Sequence, residues 1–122
     1  MGMTMVRATL QRPDGRGRPR RLEFLIDSGA IYSLAPARTW KALGLEPTRD
    51  AEFALADGTI VRRGLAEARF TIAGVSATSP VVCGEEQDSA LLGAVTLETL
   101  GLMLHPLNRQ LLPMRLMLAR AS

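Results

Sequence analysis

The chain has 122 residues, 47% of them hydrophobic, with a formal net charge of +3 and a sequence pI of about 10.0. That length fits one domain, residues 1–122, able to bury a core without staples, and the apolar share argues against disorder. Three Phe, one Tyr and one Trp leave the core to aliphatic side chains, and the basic residues are spread out apart from Arg12 to Arg21, so the stacking groups and dense basic patch of a nucleic-acid surface are missing.

Met3 to Gln11 alternates Val6, Ala8 and Leu10 with Arg7, Thr9 and Gln11, the period of a half-buried strand. Arg12 to Arg20 carries Pro13-Asp14-Gly15, turn chemistry on a solvated, basic loop. Arg21 to Asp27 is the second strand, so these two predict a hairpin. The strand ends in an apolar run, Phe24-Leu25-Ile26, that carries Asp27 at its tip and is followed by Ser28, Gly29 and Ala30. Carboxylates are normally kept out of apolar strands because an unpaired buried charge is costly. Taken alone, the stretch is also compatible with an ordinary Asp-Ser-Gly turn.

Ile31 to Leu34 continues extended, and Pro36 opens a short helix to Leu43, proline suiting the first turn. Gly44 terminates it, with Leu45 packing back. Glu46 to Asp50 is a linker. Asp57-Gly58 reads as a two-residue hairpin turn, with Phe53 and Leu55 leading in and Ile60-Val61 leading out. Gly64 marks a bend or bulge. Leu65 to Ala73 and Val75 to Cys83 are strands about the turn Ala73-Gly74. Cys83, the single cysteine, allows no internal disulfide and reads as a core thiol, because a reactive thiolate needs an exposed electropositive setting.

Gly84 to Asp88 is an acidic loop. Ala90-Leu91-Leu92-Gly93 is a short buried strand, Val95 to Leu100 a helix stopped by Gly101, His105 to Asn108 a turn, and Gln110 to Leu118 a last apolar strand interrupted by Pro113. Lys41 to Leu45 and Glu98 to Leu102 echo each other, and Gly29-Ala30 and Gly93-Ala94 precede the two helices, the mark of a pseudo-duplicated β fold. No run approaches a membrane span. No signal-peptide pattern is seen, and Val6 breaks the myristoylation pattern after Met1-Gly2. A cytoplasmic protein without a membrane partner is the expectation.

The order hairpin, Asp27-Ser28-Gly29-Ala30, helix, hairpin, two strands, Leu91-Leu92-Gly93, helix, strand resembles the retropepsin-like aspartic proteases, from about Met3 to Pro113. The resemblance implies an all-β fold, a closed barrel with two short helices and a flap hairpin. It implies that Asp27 is the catalytic acid and that Ser28, Gly29 and Ala30 shape its loop. Leu91, Leu92 and Gly93 would support that loop, and Ala56, Asp57, Gly58 and Thr59 would form the substrate-covering flap. Ser28 stands where threonine is commoner; it keeps the hydroxyl that braces two such loops and loses the methyl.

Two adjacent carboxylates share one proton, because their mutual repulsion disfavours a double charge. One then activates water while the other assists at the carbonyl, with no metal and no cofactor. This chain holds only one such motif. Asp57-Gly58-Thr59 has the wrong order, and Asp88-Ser89-Ala90 lacks the glycine. The resemblance therefore implies a two-fold homodimer, with Met3 to Leu10 and Leu111 to Leu118 as candidates for its sheet, and a peptide or protein substrate. The missing nucleophile elbow, with the one histidine, His105, in a His-Pro turn, argues against a serine hydrolase, and a single His and a single Cys argue against a metal site. A second class stays open: a retropepsin-fold dimer that binds peptide, or scaffolds a complex, without cleaving it.

Overall fold

The computed structural model describes residues 3–114. Its elements in chain order are β1 (Met5–Gln11), β2 (Arg20–Ile26), β3 (Ser33–Ala35), α1 (Ala37–Leu43), β4 (Arg49–Ala54) and β5 (Ile60–Ile72). They continue with β6 (Val75–Cys83), β7 (Leu91–Leu92), α2 (Ala94–Thr99), β8 (Leu102–Leu104) and β9 (Leu111–Pro113). The mainly β character and the two short helices agree with the sequence reading.

Seven strands form one sheet in the order β1-β2-β7-β3-β6-β5-β4, and a further pairing of β1 with β5 closes six of them into a barrel. β4 hangs outside the closed ring, paired among the described residues only with β5. Closure follows from the length of β5. Its far end, Arg69 to Thr71, pairs with Gln11 to Thr9, while the rest pairs with β6 on one side and β4 on the other.

Alternation sets what faces inward, since successive side chains point to opposite faces of a strand. On β1, Ala8 and Leu10 are buried; on β5, Ala66, Ala68, Phe70 and Ile72 are buried while Glu67 and Arg69 between them are exposed. Phe24 and Phe70 meet in the barrel centre with ring centroids 5.9 Å apart. Small residues fill the space that so few aromatics leave: Ala8, Ala35, Ala66 and Ala68 are all buried in the same cluster.

Pro36 caps α1 from an extended backbone, its carbonyl accepting from Thr39 and Trp40. The two helix ends repeat one geometry. Gly44 and Gly101 both adopt positive φ, 74° and 70°, and Leu45 and Leu102 behind them are both buried. The echo read in the sequence is thus a repeated helix stop.

Several expectations change. Ile31 and Tyr32 bend before β3, and Arg49-Asp50 belong to β4 and not to a linker. Gly64 sits in unbroken pairing opposite Asp50, so it makes no bulge. It is required by space, because a Cβ there would meet Pro47 Cβ at 2.6 Å. β8 was not foreseen in the sequence, and β9 pairs with it. The final strand is seen only as Leu111–Pro113; its continuation to Leu118 lies outside the described residues. Among those residues no helix is long and apolar enough to cross a membrane.

Cys83 is buried at the end of β6, and burial pushes its thiol up to about 11. An acid with a raised folded pKa stays neutral in the fold and ionises more readily once unfolded. Its contribution to stability is present below the ordinary thiol value and is lost as pH rises through about 11. At pH near 8, iodoacetamide should label the folded protein about 100-fold more slowly than the denatured chain. Equal labelling rates by mass spectrometry would contradict the buried placement.

Candidate active site

Asp27 leaves the barrel at the end of β2, where the strand's apolar side chains stop. Its backbone N–H donates to the Leu92 carbonyl at 2.9 Å, and its carbonyl accepts from the Ala30 N–H at 3.1 Å. Its Oδ1 accepts from the Gly29 N–H at 3.0 Å. The carboxylate is therefore oriented from its own loop and lies exposed. Ser28 and Gly29 are exposed beside it and Ala30 is half-buried.

The loop rests on the chain's second glycine motif. Leu91 and Leu92 run parallel to Leu25 and Ile26, and Leu91 also opposes Leu34 of β3. β7 is thus wedged between the strands that enter and leave the Asp27 loop. Leu92 is fully buried, and Leu91 is half-buried and reaches the groove described below. Gly93 lets the two segments touch. A Cβ on it would fall 2.5 Å from both the Tyr32 carbonyl carbon and its oxygen, and 2.9 Å from the Ile31 oxygen. The first N–H groups of α2 then bond the loop, Ala94 to the Ala30 oxygen at 2.8 Å and Val95 to the Ile31 oxygen at 3.0 Å.

Beneath the loop lies a chain of buried hydroxyls. Ser33 Oγ accepts from the Gly93 N–H at 3.0 Å and is 2.5 Å from Thr96 Oγ1, which is 2.9 Å from Ser79 Oγ. β3, β6 and α2 are joined through it, and buried polar groups that are fully paired fix one arrangement. No local pattern singles out these three residues in the sequence, because each meets its partners across the fold.

The hairpin of β4 and β5 covers the other side. Its turn departs from the two-residue reading. Gly58 N–H donates to the Leu55 oxygen at 2.9 Å and Leu55 N–H to the Thr59 oxygen at 2.8 Å, so Ala56, Asp57 and Gly58 together form the tip. Gly58 has φ 88°, the left-handed residue that follows the turn in three-residue hairpin loops. Asp57 accepts from the Thr59 N–H at 2.9 Å. Hydrogen bonds from the Thr59 side chain and backbone hold its carboxyl below the ordinary range.

Between loop and hairpin runs a groove of about 850 Å³. Asp27 and Ala30 lie on its loop side, Phe53, Leu55 and Ala56 on the hairpin, and Tyr32, Val61 and Leu91 between them. Tyr32 and Phe53 meet edge to face, ring centroids 6.4 Å apart, and so tie the loop to the hairpin. Of the flap residues expected from the sequence, all four are exposed, and Ala56 alone of them lines the groove. Tyr32, Phe53 and Val61 belong to no motif that marks them as wall residues. The signal for two of them was present, since Phe53 and Val61 alternate about the hairpin turn and are directly paired.

A closed six-stranded barrel, an acid loop wedged on a Leu-Leu-Gly strand and an overhanging hairpin define the retropepsin-like protease fold. Comparison with solved structures agrees. The chain is similar to the simian foamy virus (mac) protease in solution, with a TM-score of 0.56 at 16% identity, over 78% of this chain and 92% of that one. It is similar to the EIAV protease complexed with the inhibitor HBY-793, with a TM-score of 0.56 at 17% identity, over 82% of this chain and 89% of that one. No protein-family model and no curated protein matches the sequence.

Proposed function

We propose that the chain is an aspartic endopeptidase acting as a two-fold homodimer, with Asp27 from each subunit forming the catalytic pair. The observation that carries this reading is the placement of Asp27. It is an exposed carboxylate, held by the Gly29 N–H, at the side of an apolar groove roofed by a hairpin. A groove of this shape accepts an extended peptide, and a carboxylate beside it is positioned to take a proton from water.

One carboxylate does not supply both functions at once. Two brought together keep a single proton between them, because like charges at short range resist joint ionisation. The charged partner takes a proton from water. The water oxygen bonds to the peptide carbonyl carbon while the protonated partner donates to the carbonyl oxygen. Collapse of the resulting gem-diol then breaks the C–N bond: one carboxyl gives the proton it took from water to the leaving amine, and the other takes back a hydroxyl proton as the carbonyl re-forms. Ser28 supports the same arrangement: its hydroxyl is exposed next to Asp27, free to brace a second loop. The hairpin tip of Ala56 to Thr59 would close over the peptide and limit water access.

The test is cleavage of a mixed peptide library by wild type beside Asp27→Ala. Wild type should release new termini and the variant none. Equal cleavage by both would overturn the reading. Peptide retention without cleavage would instead support the binding or scaffolding alternative.

A further inference from the structure

The hairpin of β4 and β5 turns one face to the groove. Its register sets Phe53 opposite Val61 and Ala51 opposite Arg63, and alternation puts these four side chains on one side of the ribbon. All four line the groove. Glu52 and Arg62, also opposite each other, alternate to the other side, and both are exposed. Arg63 therefore stands where an apolar residue would complete the roof. Its side chain is only 25% exposed, and among the described residues it is the one cation on the groove's wall. The acids on that wall are Asp27 and Glu52, and the Glu52 carboxylate is already paired with Arg62 at 3.2 Å.

Two contacts hold the Arg63 guanidinium. Nη1 donates to the Arg62 carbonyl at 3.0 Å, and Nη2 lies 2.9 Å from Glu85 Oε1. Glu85 is no part of the groove's wall. It borders a separate hollow behind the base of the hairpin, with Trp40 and Pro47, and Arg63 borders both spaces. A guanidinium carries five N–H donors in a rigid fork, so donors remain after these two contacts. A planar cation held from behind, with donors to spare, suits a carboxylate that arrives along the groove. A substrate ammonium would instead meet a like charge there.

From this we infer that Arg63 is a specificity-determining residue. The groove takes peptides that set an apolar side chain against Tyr32 and Phe53, and an Asp or Glu side chain against Arg63 at the base of the hairpin. The inference rests on the reading of this groove as a peptide site and names the class of peptide it prefers.

The experiment separates binding from cleavage by using Asp27→Asn, which keeps the groove. The peptides that this protein retains from a mixed library should be enriched in Asp or Glu beside apolar residues. One retained acidic peptide, fluorescently labelled, is then compared with its Gln counterpart by anisotropy. The Gln peptide should bind about tenfold more weakly. With Arg63→Met added, the two peptides should bind alike. Arg63→Lys keeps the cation on a long stem and serves if Arg63→Met does not fold; it loses the fork, so the ratio should shrink. An undiminished ratio in either variant would mean that Arg63 only ties the hairpin to Glu85, and would overturn the inference. So would a retained pool without acidic enrichment, or no retention at all. Acid preference without Asp27-dependent cleavage by wild type would uphold the inference and remove the enzyme. Asp27-dependent cleavage without acid preference would overturn the inference and leave the enzyme standing.

Discussion

Asp27→Asn should lower kcat for peptide hydrolysis by about 10³-fold or more, since it removes both the base and the acid of the proposed pair. Asparagine keeps the shape of the side chain and an oxygen for the Gly29 N–H. The fold should therefore be retained, and peptide affinity should change little. Residual turnover within a factor of ten of wild type would mean that Asp27 is not the catalytic acid.

Among the described glycines, Gly93→Ala should be the most damaging added methyl. The added carbon would sit 2.5 Å from the Tyr32 carbonyl carbon and oxygen, both backbone atoms that no rotamer change can move aside. The neighbours on the other side are equally fixed, since the Gly93 N–H is bonded to Ser33 Oγ inside the buried hydroxyl chain. Relief requires separating the Asp27 loop from β7. We expect a loss of about 3 kcal/mol, read as a fall in Tm of roughly 10 °C for a domain of this size. Any surviving fold should have a displaced Asp27. A Tm within about 2 °C of wild type would show that the loop and β7 are not in close contact.

Both motifs behind these predictions were legible in the sequence because each is local. An apolar run ending in Asp-Ser-Gly-Ala, and a Leu-Leu-Gly before a helix, carry their meaning within a few residues. Pattern also placed the long strands, where five or more residues show alternation. It failed where the cause lies far along the chain. Gly64 reads as a bulge, yet it answers to Pro47 across the hairpin. Ser33, Ser79 and Thr96 are ordinary polar residues until the barrel brings them together. β8 is three residues long, too short for a period, and its pairing depends on β9 beyond the His105 turn. The hairpin tip was read one residue too tight, because Asp57-Gly58 favours a two-residue turn while the pairing of Phe53 with Val61 and Ala54 with Ile60 leaves room for more.

The wedging of β7 between β2 and β3 also bears on when the molecule becomes competent. Asp27 is synthesised early, but the Leu92 carbonyl that receives its N–H, and Gly93 on which its loop rests, come most of the chain later. Bringing those segments together requires a long closure, whose entropic cost is met only after the strands between have paired. A nascent chain that has emerged only through β6 would own every residue of the groove except Leu91, and yet lack the support that orients its acid. The Asp27 loop thus lacks its support until translation has passed α2.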